Sequence, residues 1–158
     1  MYNNNLQNLM NNQIQLEFQA AHIYRGFSIY LSHPKIAYKG FAKYFSNESD
    51  DELKHAQELS EYHQKRGGTV ELPNISSFDT KLYPLQALKQ ALILENQVLD
   101  NFILISQNSD DQTRTFIDKY LQIQTDSIAE YTELITKTSR LDNNIGLYML
   151  DNELLNNG

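Results

Sequence analysis

The segment Ser49–Leu59 reads S-D-D-E-L-K-H-A-Q-E-L, and two of its residues form a pair suited to chemistry. Glu52 and His55 stand three residues apart, which makes them neighbours on one face of a helix. The same face carries Phe41 and Phe45 before them and Leu59 and Tyr62 after them. A carboxylate and an imidazole thus point toward an apolar core, which costs free energy unless something compensates. Inside a helix bundle, the compensator that best matches a Glu-x-x-His pair is a metal ion shared with acids from neighbouring helices.

Three other stretches supply candidate ligands. Glu17 interrupts the row Leu6, Met10, Gln13, Ala20, Tyr24, Phe27 and Leu31. Glu95 interrupts Leu88, Leu92, Leu99 and Phe102, and Gln124 interrupts Ile117, Tyr120 or Leu121, Ile128, Tyr131 and Ile135. Each row has helical spacing. Taken singly, an inward Glu is most simply a helix read at the wrong phase, and an inward His a satisfied core residue. Coincidence on four stripes at matching height is the informative feature. Carboxylates at close quarters repel, and burial raises their pKa values; one or two divalent cations remove both penalties. An oxygen-rich set with one imidazole suits iron or manganese, with zinc as a competitor, better than copper. Glu52 projects between the others and is the candidate bridge between two metals. Tyr24 lies two turns from Glu17 on the same face. It is either a core aromatic or a hydrogen-bond or electron donor beside the metals.

The elements that must hold these residues are all helical. The first runs from about residue 6 to 31 and ends at His33-Pro34, because the residue before proline disfavours the helical region. The second covers about 34 to 66, with Pro34 in its first turn and Gly67-Gly68 as its cap; its inner face includes Glu48. Pro84 opens a third helix that runs to 107. Ser109 or Asp110 caps a fourth from 111 to 138. Asp142 to Asn144 then breaks the chain before a short fifth helix over 146–155. Residues 68–83, with Pro73 and Ser76-Ser77, lack helical period, and a short extended piece is expected at 69–72. A connection of that length suits a crossover along a bundle rather than a hairpin. The fold class is therefore all-α: a four-helix bundle with a long crossover between the second and third helices and a short fifth C-terminal helix, one domain over 1–158. The Asn-rich ends are expected to fray.

At 158 residues the chain is long enough to bury a real core. Its net charge of −7 argues against nucleic-acid binding and favours cations. The absence of cysteine excludes disulfides, thiolate zinc sites and iron–sulfur ligation by Cys. No stretch is long and apolar enough to span a membrane, and M-Y-N-N-N-L lacks the regions of a secretory signal. The chain is expected to be soluble and cytoplasmic.

Several motifs together resemble the ferritin family over nearly the whole chain. N-x-Q-I-x-x-E-F-x-A-A-x-x-Y, ending at Tyr24, is similar to the first ferritin helix. G-F-A-K-Y-F at 40–45 and D-E-L-K-H-A at 51–56 resemble the second. R-G-G-T-V-E-L at 66–72 resembles the start of the long loop, A-L-x-x-E at 91–95 the third-helix ligand, and D-N-E-L-L near the end the fifth helix. The resemblance implies a ferroxidase centre with Glu17, Glu52 and His55 as the first iron site and Glu52, Glu95 and Gln124 as the second. Tyr24 then matches the family tyrosine beside the centre. It also implies a homo-oligomeric shell of twenty-four subunits that oxidises Fe(II) with dioxygen or hydrogen peroxide and stores Fe(III) mineral. Ser127 stands where a bacterioferritin-like site would place its second histidine, and Leu53 where a haem ligand would be. The expected subclass is the haem-free bacterial type.

The sequence departs from the family in three places. A third iron position on the second and fourth helices has only Asp51 and Asp126 available, since Ile123 and Ser127 replace common acids; it is expected to be weak or absent. The wall positions Lys43, Ser46, Asn47, Asp50 and Lys54 are poor in acid, so Lys43 and Lys54 either recruit phosphate or are merely solvated. Arg114 and Ile117 occupy places where animal three-fold pores carry acids, with Asp110, Asp111 and Asp118 near. An arginine there disfavours cation passage. The competing functions are a non-catalytic iron-binding cage and a small di-iron oxidase acting on an organic substrate, for which the short chain shows no substrate domain or lid insertion.

Overall fold

A computed structural model of the chain describes residues 2–72, 74–141 and 144–157. Its helices are α1 (Asn4–Ser32), α2 (Lys39–Lys65), α3 (Pro84–Gln107), α4 (Asp111–Ser139) and α5 (Asn144–Asn156). No strand occurs among the described residues. The expected all-α bundle with a short fifth helix is the fold observed. Pro73, Asp142 and Asn143, which figured in the expected loops, lie outside the described residues.

Two apolar clusters fill the bundle. One joins the C-terminal half of α1 with the first halves of α2 and α3, the end of α4, and Leu150 of α5. The other joins Leu6, Met10 and Ile14 with Leu59, Val98, Phe102, Ile105, Ile117 and Tyr120. The start of α3 therefore sits beside the start of α2. The connection after Arg66 must run the length of the bundle, which makes α2 and α3 parallel and α1/α2 and α3/α4 antiparallel pairs.

The helix ends differ from the sequence reading where side chains compete for backbone groups. The second helix begins at Lys39, not Pro34. After His33 the chain turns through Ala37 at φ 60°, and Tyr38 N–H bonds back to the Leu31 carbonyl at 2.9 Å. Of the two expected caps of α4, Asp110 is the one used, accepting from Thr113 N–H at 2.9 Å. Residues 69–72 form no strand. Asn11 takes the place of a ladder partner, donating to the Thr69 carbonyl at 2.9 Å and accepting from Glu71 N–H at 3.0 Å. Residues 2 and 3 are tied to the bundle. Asn3 caps α1, and the Tyr2 hydroxyl bonds buried His63 while the Arg66 guanidinium lies 4.8 Å over the Tyr2 ring. On α3 the buried stripe runs through Ala87, Ala91 and Val98; Leu92 and Leu99 are half-buried.

The fifth helix docks where a glycine permits it. Asp151 Oδ1 accepts from Phe41 N–H at 2.9 Å, satisfying an α2 amide that has no intrahelical partner. A Cβ at Gly40 would lie 1.7 Å from the Asp151 carbonyl oxygen. Gly40→Ala is therefore expected to destabilise the chain by about 1–3 kcal/mol and to expose α5 to protease. Urea denaturation and limited proteolysis check this; an unchanged midpoint would show that α5 does not need the close approach.

Candidate metal centre

A polar layer separates the two apolar clusters. Glu17, Glu52, Glu95 and Gln124 are all buried, one from each long helix, at the height where the clusters stop. The helical periods that bury Tyr24 and Leu59 also bury these residues. Packing of the apolar neighbours thus compels the polar ones inward.

Three side chains converge. One ligand atom each from Glu17, Glu52 and His55 lies within 4.8 Å of the others. His55 Nδ1 is 3.3 Å from Glu52 Oε2 and 3.8 Å from Glu17 Oε2. Glu17 Oε1 accepts from Gln13 Nε2 at 2.7 Å, whereas Glu17 Oε2 is buried with no hydrogen-bond partner. A buried acceptor left without a donor is costly, and a cation between the three groups satisfies it. Ligand atoms about 2.0–2.2 Å from one ion stand within roughly 4 Å of each other, so the triad needs only a small contraction. The residues fit a metal.

Glu95 stands apart from this triad, across Glu52. Its Oε1 accepts from the Tyr24 hydroxyl at 2.6 Å, and its Oε2 accepts from Gln124 Nε2. Gln124 Nε2 also donates to the Glu95 carbonyl at 3.0 Å. Gln124 thus faces Glu95 with its N–H group, and serving as an oxygen ligand requires the amide to turn over. Tyr24 is both of the things its position suggested: a fully buried core aromatic and a donor to a candidate ligand.

The electrostatics follow from burial. Desolvation raises the pKa of Glu52, and the charge of Glu17 raises it further. Desolvation also raises Glu95, against the opposing hydrogen bond from Tyr24. At His55 burial lowers the pKa, but Glu17, Glu58 and Asp51 outweigh it and the net direction is upward. Each of these effects relaxes when a cation is bound.

The sequence reading left out the cleft beside the centre. Asp51 and Asp126 line an opening of about 250 Å³ with Glu48, Glu52, His55, Gln124 and Glu130. Glu48 precedes Glu52 by one turn, so its spacing already placed it on the ligand face. Its Oε2 accepts from the Tyr131 hydroxyl at 3.2 Å. Burial, then the charge of Glu95, pushes its carboxyl up to about 8. Asp126 and Asp51 are both exposed, and Asp126 is bonded by Gln122 at 2.9 Å.

Several charges singled out in the sequence hold local structure. Lys43 Nζ donates to the Leu155 carbonyl at 2.9 Å, at the end of α5. Arg114 pairs with Asp111 at 3.1 Å and donates to the Ser109 carbonyl at 3.1 Å. Arg66 bonds Asp110 at 2.6 Å. Asp110 and Asp111 are thus engaged within the subunit, while Lys54 and Asp118 lie exposed.

Comparison with known proteins gives the family. Residues 7–141 match the ferritin family model, described as a ferritin-like domain. Soma ferritin of Lymnaea stagnalis is 33% identical over 153 residues, covering 92% of this chain and 88% of that protein. Chloroplastic ferritin-2 of Nicotiana tabacum is 31% identical over 165 residues; the alignment covers 98% of this chain but only 64% of the tobacco protein. The crystal structure of ferritin from the green alga Ulva pertusa superposes with a TM-score of 0.93 at 27% identity, over 99% of this chain and 86% of that one. The chain belongs to the ferritin family.

The pKa shifts predict how the metal-free protein responds to pH. Glu48 titrates near 8 when folded against an ordinary value of 4.5, so between these values the native state binds more protons than the unfolded chain. Stability then falls as pH rises through that window. Glu52, Glu95 and His55 act in the same direction. His63, lowered by burial from 6.5, opposes them only below that value. The thermal midpoint of the apo protein is expected to drop between about pH 6.5 and 8. Glu48→Gln should flatten part of the drop and saturating Zn2+ should remove it. A midpoint that rises over this range would contradict the burial argument.

Proposed function

We propose that this chain is the subunit of an iron-storage ferritin with a ferroxidase centre, in which Fe(II) is the substrate. The observation that carries the reading is the buried, unpartnered Oε2 of Glu17 beside Glu52 and His55. Glu17, Glu52 and His55 bind the first Fe(II). Glu52 bridges to a second position completed by Glu95 and by Gln124 once its amide has turned. Two adjacent Fe(II) would each give one electron, and the pair of electrons with two protons would reduce dioxygen to hydrogen peroxide, or hydrogen peroxide to water. Tyr24 orients Glu95 through its hydroxyl. The acid-lined cleft of Glu48, Asp51, Asp126 and Glu130 offers Fe(III) a way out, and Asp51 with Asp126 a weak further iron position.

The same reading gives a haem-free shell of twenty-four copies around the mineral. Leu53 is an exposed aliphatic side chain with no atom able to ligate haem iron. Lys54 is the wall lysine left to recruit phosphate, because Lys43 is tied to α5. The alternative is a cage that binds iron without rapid turnover. It is favoured by one observation: both oxygens of Glu95 already hold protein donors, so the second position must open before it fills.

Stopped-flow oxidation in air at about two Fe(II) per subunit separates the two. The wild type is expected to show a fast phase that Glu52→Ala and His55→Ala abolish. A wild-type rate no greater than that of the variants would leave the non-catalytic cage as the function.

A further inference from the structure

The first carboxylate of the centre is held by a line of amides that reaches the surface. Gln13 Nε2 donates to Glu17 Oε1 at 2.7 Å. Asn101 Nδ2 donates to Gln13 Oε1 at 2.7 Å and to the Leu9 carbonyl at 3.3 Å. Asn12 Nδ2 donates to Asn101 Oδ1 at 2.9 Å. Gln13 is 0% and Asn101 4% exposed, whereas Asn12 lies at the surface.

The polarity of this line is imposed at its inner end. An ionised carboxylate only accepts hydrogen bonds, so Gln13 must turn its N–H group to Glu17 and its carbonyl away. That carbonyl requires a donor, which Asn101 supplies only through its NH2 group. The Asn101 carbonyl is then left to accept from Asn12. Each amide hands an N–H inward, and each bond polarises the next. The consequence falls on Glu17: Oε1 is anchored, and Oε2 is the oxygen turned toward His55 and Glu52.

We propose that Gln13 and Asn101 are positioning residues of the first metal site, aiming Glu17 Oε2 at the ion by fixing Glu17 Oε1. The inference rests on the metal-centre reading above. Neither residue reaches the ion. A packing role alone would not account for them, because apolar side chains of similar volume would fill the α1–α3 interface without burying amides. Glu95 shows the contrast. Its two oxygens are bonded by two different side chains, whereas Glu17 has one oxygen held and one buried without a partner.

The test reverses the polarity with almost no change in shape. In Asn101→Asp the side chain, once ionised, can only accept and takes the N–H of Gln13; because burial favours the protonated acid, this variant is titrated at alkaline pH. The Gln13 carbonyl then faces Glu17 Oε1, acceptor against acceptor. Gln13→Met keeps the length and removes the donor. Assembled full-length proteins are titrated with Co2+ alone, whose visible absorption reports both occupancy and ligand geometry; His55→Ala marks the signal lost from the first site. Both variants are expected to bind Co2+ there roughly 10- to 100-fold more weakly, with an altered band shape. Wild-type affinity and spectrum in both would overturn the proposal. Should Asn101→Asp fail to assemble, Gln13→Met decides alone: unchanged affinity overturns, weakened affinity supports. Co2+ binding does not depend on turnover. A wild type that binds Co2+ at this site but shows no fast Fe(II) oxidation removes the ferroxidase reading and leaves the amide line judged on affinity. Variants with weakened Co2+ binding in a catalytically active background support it.

Discussion

Three carboxylates are buried at one height in the bundle, between two apolar clusters, and the rest of the structure answers to that constraint. Removing even one carboxylate from water costs several kcal/mol unless charge or hydrogen bonds replace the lost solvent. Here the replacements are specific. Gln13 serves Glu17, and Tyr24 and Gln124 serve Glu95. What they leave unserved is Glu17 Oε2, and together with Glu52, whose pKa burial and then the charge of Glu17 raise, it is the part that a cation completes. The centre is thus unequal before any ion arrives: one side is open and preformed, the other closed over its own donors.

Architecture follows from the need to bring four stripes to one height. A helix of 27 residues rises about 40 Å at 1.5 Å per residue, so mid-helix residues meet only if the helices start and stop together. The turn through Ala37 and the short break before Asp111 align the two antiparallel pairs. The long crossover then lays α3 parallel to α2. Asn11 and His63 hold the start of that crossover against α1 and α2. Small residues at Ala87 and Ala91 bring α3 close enough for the Tyr24 hydroxyl to reach Glu95.

Charge outside the centre is largely spent on helix ends. Asp110 caps α4 and binds Arg66, Arg114 folds back on Asp111 and the Ser109 carbonyl, and Lys43 reaches the end of α5. Four acids, Glu48, Asp51, Asp126 and Glu130, line the cleft beside the centre. Those acids place negative charge next to the residues that a cation would complete.

The sequence by itself determined the helices and the polar layer, because hydrophobic periodicity settles which face of a helix is buried. Glu17, Glu52, Glu95 and Gln124 interrupt their apolar rows and are buried. Pro84 and Gly67 punctuated the chain as expected. Periodicity is a property of one helix, and it was silent wherever two elements compete. Pro34 permits a helix start, but the Tyr38 bond to Leu31 delays it to Lys39. The α3 stripe rotated toward Ala91 and Val98 because those residues fit the facing helices. Only the tertiary structure decided which oxygen of each carboxylate is free, which way each amide faces, and that Glu48 meets Tyr131 and the acids of the cleft. These are outcomes of donor and acceptor matching between helices remote in sequence. Asn101 and Gln13, 88 positions apart, share no local pattern that could have linked them.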